Sequence, residues 1–382
     1  MSMVLLNLFH RYIATSVFVV VVSIAPAYAG VIPLFNPSSS KKYHHSFSLK
    51  VNTYLANDSF TLKDLLLNEM KGDEHIQSGD NVALAIGRFD LGYGDEKYGY
   101  IGYTYREEIF LKASQDTVEL IYEATNKVDL EVGKYYDLYL LLKAYEMHGM
   151  TYANSLQIKK NAWNITLGVA IEALYAKNMQ DGYISGYAVA NSEKDYSFSG
   201  VSHYNYTHNY LYDLTVNPSD AYGYATHFSL ALEKGDFHFL LLANDLFSKL
   251  YWSALPYSDV YLSSDNKEYD EDGYVKYKPL LHGQEGYRKY KQSLMQKYRA
   301  EASYNYNSNV VYTLGSDYIE GIYLPYIACK YSWQDDVSVK VGYENRFGGF
   351  SLEGEYKNFT LAFNADDIFS PSALGVSIAV YF

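Results

Sequence analysis

The sequence holds one cysteine, Cys329, and 8 prolines in 382 residues. A single thiol excludes an internal disulfide framework and a thiolate metal cluster. Beyond residue 30 there is no run of eighteen apolar residues, which excludes a bundle of membrane-spanning helices. Basic charge is not in excess either. Lys and Arg number 31 against 44 Asp and Glu, a net of −13, so no nucleic-acid partner is expected. No G-x-S-x-G occurs, and no Ser/His spacing marks a nucleophile and its base. His227 and His238 fall on the inward face of neighbouring predicted strands, a pair that by itself is a weak signal for a catalytic or metal role. The acidic stretch Asp265 to Gly273 lacks the spacing of a calcium loop. No catalytic residue, metal or cofactor is therefore expected.

What the sequence has in quantity is tyrosine, 44 residues, and with Thr, Val and Phe this favours pleated, half-buried surfaces. The first 29 residues differ from the rest. Arg11 is the only charged side chain there, and an apolar run from Ile13 leads into small residues at Ala27 and Ala29. That pattern predicts a cleaved secretory signal peptide over residues 1–29, and hence a mature chain outside the cytoplasm.

Past residue 44 apolar and polar residues alternate again and again. In Ile165 to Tyr175 the odd positions are apolar, while Thr166, Gly168, Ala170 and Glu172 lie between them. The stretches 221–235, 297–306, 337–345 and 350–356 repeat the pattern, which is that of strands. The polar face carries small residues and charges, and the apolar face is rimmed by Tyr and Phe. That arrangement suits a barrel with lipid outside and polar groups inside, aromatic girdles at both interfaces and no unpaired edge.

The expected fold is therefore all-β: one transmembrane antiparallel β-barrel over residues 45–382, with about sixteen to eighteen strands. Residues 30–44 form a short periplasmic segment ahead of it. Tight polar turns are expected at the periplasmic end, at Gly94–Lys97, Lys159–Ala162, Asn191–Lys194, Lys234–Asp236, Asn307–Asn309, Gln334–Asp336 and Lys357–Asn358. The long connections 57–80, 208–220 and 247–294 are assigned to the other end. Residues 116–125 and 310–315 count as strands. Leu62, Leu65, Leu66 and Met70 follow helical spacing, with Ser59 or Thr61 as cap, so one short helix is expected in the first long loop.

The last ten residues place Leu374, Val376, Ile378, Val380 and Phe382 on one face, to the final residue. With the signal peptide and the repeated alternating strands, this resembles the outer-membrane β-barrel proteins of Gram-negative bacteria. The resemblance spans nearly all of residues 45–382 and marks no subfamily. It implies an outer-membrane location in contact with lipid and lipopolysaccharide. It also implies that the C-terminal strand is the signal read by the barrel-assembly machinery. Only about fifteen residues precede the first strand, too few for the globular plug of fatty-acid or siderophore transporters.

A barrel of this size encloses an aqueous lumen unless something fills it. The inward-facing charges expected from the alternation are Arg106, Glu108, Glu119, Glu123, Asp137, Lys143, Glu172, Glu233, Lys297, Arg299, Glu301, Lys340, Glu344, Glu353 and Glu355. Carboxylates outnumber cations, so the leading expectation is a porin-like, mildly cation-preferring channel for small polar solutes and ions. Lys297 and Arg299 facing Glu353 and Glu355 would set up a transverse field. The other reading is a non-conducting barrel serving assembly, export or adhesion. Oligomeric state is not legible.

Overall fold

The alternation of Leu374, Val376 and Ile378 with Gly375, Ser377 and Ala379 is realised as a strand, β19 (Ala373–Tyr381). Its neighbours are the first strand, β1 (Ser46–Asn57), and β18 (Phe359–Ala365). Leu374 stands opposite Leu55, and Ser48 opposite Tyr381, so the two ends of the sheet pair and the barrel closes. The computed structural model describes residues 31–41, 46–67, 76–208, 216–217, 219–264, 267–269, 275–277, 281–334 and 336–382. The expected signal peptide and most of the acidic stretch 265–273 lie outside the described residues.

From β1 the wall proceeds through β2 (Asp80–Asp95), β3 (Gly99–Ser114), β4 (Tyr135–Lys160) and β5 (Trp163–Ser192), each antiparallel to the last. Two strands then share the far edge of β5. β6 (Asp195–Tyr206) pairs with its second half and β7 (Ala221–Lys234) with its first. β8 (Phe237–Asn244) and β9 (Lys249–Ser263) likewise lie end to end. A small hairpin of β10 (Lys267–Tyr269) and β11 (Val275–Tyr277) stands apart from the wall sheet. β12 (Leu281–Gln292) pairs with β9, and β13 (Lys297–Asn305) continues its line along β8. β14 (Val310–Ile319), β15 (Ile322–Gln334), β16 (Val337–Glu344) and β17 (Phe350–Tyr356) lead back to β18. The sheet contains seventeen strand segments, within the expected range. Because β6/β7, β8/β9 and β12/β13 each share one track, the segments form fourteen tracks around the wall.

Three expectations are corrected here. Residues 116–125 are not a strand but most of a helix, Gln115–Asn126, capped by the Ser114 side chain, which accepts from Thr117 N–H. Its Val118, Leu120 and Ile121 repeat at helical spacing and are buried, which decides it. Residues 247–294 are not one long loop: β9 and β12 take most of the segment. The turn at Asn191–Lys194 sits at the opposite end from the others, because β5 runs 30 residues without a break. At about 3.3 Å per residue β5 far outreaches a bilayer, while β16 to β19 have only 7 to 9 residues each. The wall is therefore tall on one side and low on the other.

The helix expected in the first loop is present as α1 (Leu62–Leu67). Thr61 caps it, its hydroxyl accepting from Asp64 N–H at 3.1 Å and donating to the Asp64 carboxylate at 2.7 Å. The helix Gln115–Asn126, α2, packs Val118 and Ile121 against Leu140, Leu142 and Ile109 of the wall. That face is the outer one, since Lys143, the next residue of β4, reaches across the lumen to Glu320 at 2.6 Å. Protein, not lipid, covers the outside of the tall wall.

Lower down, the outer face is bare and apolar: Ile101, Leu167, Val169, Ile171, Leu241, Leu314, Ile327, Leu352 and Leu361 are all exposed. At the short-turn end the band finishes in Tyr98, Trp163 and Tyr356, each with a lysine over its ring, at 5.0, 5.0 and 5.2 Å. A soluble protein would have buried these rows. Here they form the hydrocarbon band and one interfacial girdle of a membrane barrel. The C-terminal aromatic, Phe382, is exposed on this rim, and its N–H donates to Phe47 O at 2.9 Å.

Candidate functional site: the filled lumen

Residues 31–41 were expected below the barrel and lie inside it instead. The reason is a set of lumenal groups that bind its backbone. Val31 and Ile32 N–H donate to one oxygen of Asp317, at 2.8 and 3.0 Å. Asn244 embraces Phe35, its side-chain oxygen accepting from Phe35 N–H at 2.7 Å and its amide donating to Phe35 O at 2.9 Å. The Phe35 ring lies under the Arg88 guanidinium at 5.0 Å and against Tyr100 and His227, each at 5.8 Å. The segment ends in a single 3-10 turn, Pro37–Lys41. Gly168 admits that turn, since a Cβ there would stand 2.4 Å from Ser38 N.

Beside this segment lies a buried charge network. Arg88 and Arg106 face each other across β2 and β3 in register, a like-charge pair that would repel if left alone. Glu172 of β5 sits between them and takes one on each oxygen, Arg88 at 2.5 Å and Arg106 at 2.8 Å. Asp90 holds Arg88 at 2.9 Å, and Glu108 holds Arg106 at 2.7 Å. Asp245 takes Arg106 on both oxygens, at 2.9 and 2.6 Å, and Lys297 at 2.7 Å. Lys297 also reaches Glu108 at 2.7 Å. Asp245 meets them because the chain between β8 and β9 bulges there, with Asp245 in the left-handed region at φ 60. Arg299 pairs with Asp317 at 2.6 Å, which fixes the carboxylate that holds the N-terminal segment.

Glu172, His227 and Asp245 bring three potential metal ligands within 4.8 Å of one another. Their carboxylate oxygens are already held by Arg88, Arg106 and Lys297. A divalent cation would enter a site walled by three fixed positive charges, so the cluster is a structural network. His238 is remote from it, beside Asn305 at 3.0 Å.

Toward the long-loop end the lumen turns apolar. Ile86, Phe110, Met147, Met179, Trp252, Leu255, Met295, Leu324 and Phe347 form one buried cluster drawn from walls all round the barrel. Above it the tall wall presents tyrosines and scattered charges. Tyr135 and Tyr187 stack at 5.5 Å, Tyr183 lies 5.0 Å from His203, and Arg288 covers Tyr257 at 4.3 Å.

Of the residues expected in the pore, Arg106, Glu108, Glu172 and Lys297 come together in the network, and Arg299 adjoins it. Lys143 bridges to Glu320. Glu301 accepts from Tyr326 at 2.9 Å. Glu355 pairs with Lys330 and Ser338, near the short-turn end. Glu353 is buried, and Lys340 stands opposite it on β16. Glu344 accepts from Phe347 N–H at 3.0 Å and caps the turn after β16. Glu233 lies at the short-turn rim, 3.7 Å from His238. Asp137 is exposed on the tall wall, and Glu119 and Glu123 belong to α2, where Lys134 pairs with both. Lys297 and Arg299 do not face Glu353 and Glu355, because nearer carboxylates claim them.

Sequence reading passed over Arg88, Asp90, Asp245 and Asp317. A signal for the first two existed: Arg88-x-Asp90 and Arg106-x-Glu108 repeat one pattern on neighbouring strands, each pair on one face. Nothing local marked Asp245 or Asp317.

The architecture is that of a transmembrane antiparallel β-barrel of outer-membrane type, with a filled lumen. No family model matches the chain, and no curated protein matches it. Among solved structures it is similar to a deletion mutant of the TodX monoaromatic hydrocarbon channel, at 9% identity over 95% of this chain and 97% of that one, with a TM-score of 0.45. It is also similar to the Pseudomonas putida toluene transporter TodX, at 10% identity over 93% and 92%, TM-score 0.40. The Ralstonia pickettii toluene transporter TbuX follows at 8% over 91% and 90%, TM-score 0.29. None of the three is close enough in sequence or shape to carry a substrate across.

Proposed function

We propose that this chain is an outer-membrane channel for small apolar or amphiphilic solutes, held shut by its own N-terminal segment. The observation that carries this reading is the apolar layer of the lumen. A water-filled pore needs polar walls at its waist, whereas this one has Phe110, Met147, Met179, Trp252 and Met295. Methionines adapt to varied apolar shapes, which suits transient passage. Most of the lumenal carboxylates that suggested polar solutes and a mild cation preference are taken up by internal pairing. Residues 31–41 make no sheet pairing with the wall, so they are a lumenal part that can move. The long, tall end is assigned to the outside and the short-turn end to the periplasm, as in bacterial barrels.

A second reading, a non-conducting barrel, is favoured by the same network and segment. Proteoliposome uptake separates the two. Toluene or a short alkanol derivative should enter faster than a sugar of equal size, and deletion of residues 31–41 should speed that entry. No uptake of any solute by either protein, with no bilayer conductance, would leave the non-conducting barrel.

A further inference from the structure

The lipid-facing wall of a barrel is ordinarily convex, but here it carries a trough of about 800 Å³. It crosses β5, β7, β8, β13, β14 and β15 at matched register: Leu167 faces Leu230, Leu230 faces Leu241, Leu241 faces Ala300, and Tyr318 faces Tyr323. Its floor is made of small residues, Ala243, Ala300 and Ser316, between larger rims. Six strands at about 4.8 Å and two outward residues on most of them give a channel about 24 Å long and about 7 Å wide. That width takes one acyl chain laid along it.

A basic rim lies below the β5 end of the trough. Trp163, Ile165 and Leu167 share the outward face of β5, so Trp163 lies about 13 Å below the trough, at the short-turn interface. Lys160 stands opposite Trp163 on β4, and Lys234 lies over its ring at 5.0 Å. Both lysines are exposed, and Lys160 continues the outward row of Leu156 and Ile158. Glu233, next to Lys234 in sequence, turns the other way, toward His238. An aromatic ring between two ammonium groups at the edge of the hydrocarbon band suits a lipid phosphate.

We infer that this surface holds one anionic phospholipid from the leaflet at the short-turn end, the periplasmic leaflet in the orientation proposed above. Its phosphate sits between Lys160 and Lys234, and one acyl chain rises past Leu167 and Leu230 into the trough. The lipid fills a concavity that mobile lipid would otherwise have to pack against at an entropic cost.

Native mass spectrometry of the full chain, titrated in mild detergent with phosphatidylglycerol, tests this. One phosphatidylglycerol should survive activation that strips the others, and phosphatidylcholine should not. Ala300→Trp fills the floor from the outer face and should lower that retention about tenfold or more, as should Lys160→Glu with Lys234→Glu. Leu352→Trp on β17 and Lys357→Glu just after it, outside the trough, are controls that should keep it. Each variant is checked for the heat-modifiable gel mobility of a closed barrel, and the double lysine variant, at an exposed rim, keeps the test alive if Ala300→Trp does not fold. Equal retention in wild type and the folded variants would overturn the proposal. So would a wild-type dimer that carries no lipid and becomes a monomer on Ala300→Trp, because a second copy would then own the trough.

Discussion

Arg106 donates to both carboxylate oxygens of Asp245, at 2.9 and 2.6 Å, across 139 residues of sequence. Both are almost completely buried. The pair therefore acts as a buried brace between β3 and the break after β8.

Removing one partner strands the other. Asp245→Asn leaves Arg106 and Lys297 short of a buried counter-charge and should destabilise the barrel by about 3–5 kcal/mol. Urea unfolding of refolded protein reads this as a lower midpoint. Arg106→Met combined with Asp245→Leu should recover much of the loss. A double variant as unstable as the sum of the Arg106→Met and Asp245→Leu singles would show that the pair is not coupled.

Gly168 is the point where the wall makes room for the N-terminal segment. A side chain there meets Ser38 N at 2.4 Å and the Pro37 carbonyl carbon at 2.6 Å, both backbone atoms that cannot rotate away. Gly168→Leu should expel residues 31–41 while the closed wall persists. Hydrogen exchange should then show lost protection at Val31 and Ile32 and kept protection in β5. Retained protection at Ile32 would show that the segment is held without that contact.

Tyr100 forms a platform under Phe35, its own ring lying where a Cβ at Gly92 or Gly102 would stand, 2.4 Å from either. Gly102→Val should displace the ring and loosen Phe35 without touching the charge network. The expected readout is faster exchange at Phe35 N–H, and faster solute entry if the segment gates the lumen. An unchanged exchange rate would mean that Asn244 alone fixes Phe35.

The closing strand can be tested directly. Val380→Asp with Phe382→Asp places two carboxylates on the lipid face near the short-turn rim, where each costs up to a few kcal/mol, less near the interface than at mid-depth. Export should persist while assembly into the outer membrane falls. Normal surface levels would separate the C-terminal aromatic from assembly.

Much of the wall was legible because strand alternation is local. Leu374 to Phe382 and Ile165 to Tyr175 announce their faces within one stretch, and the structure keeps those faces. The errors fell where period 2 and period 3.6 compete over a few residues. Thr117, Val118, Leu120 and Ile121 satisfied a weak strand pattern, and only packing against Leu140 and Leu142 selects the helix. Asn191–Lys194 reads as a tight turn at either end of a barrel, since turn chemistry carries no direction.

The sequence by itself determined the closed antiparallel wall, the apolar belt and the strand that seals it, because each follows from residue spacing and the cost of unpaired backbone in lipid. Tertiary structure alone decided what fills the lumen. Which carboxylate meets Arg106 depends on register summed over several strands and on the bulge that turns Asp245 inward. Residues 31–41 carry no periodicity, and their place beside Asp317 and Asn244 exists only once walls nearly three hundred residues away in sequence have come together. The charges that looked like a pore lining became a brace for the same reason: in a closed barrel, an inward charge meets a neighbour before it meets water.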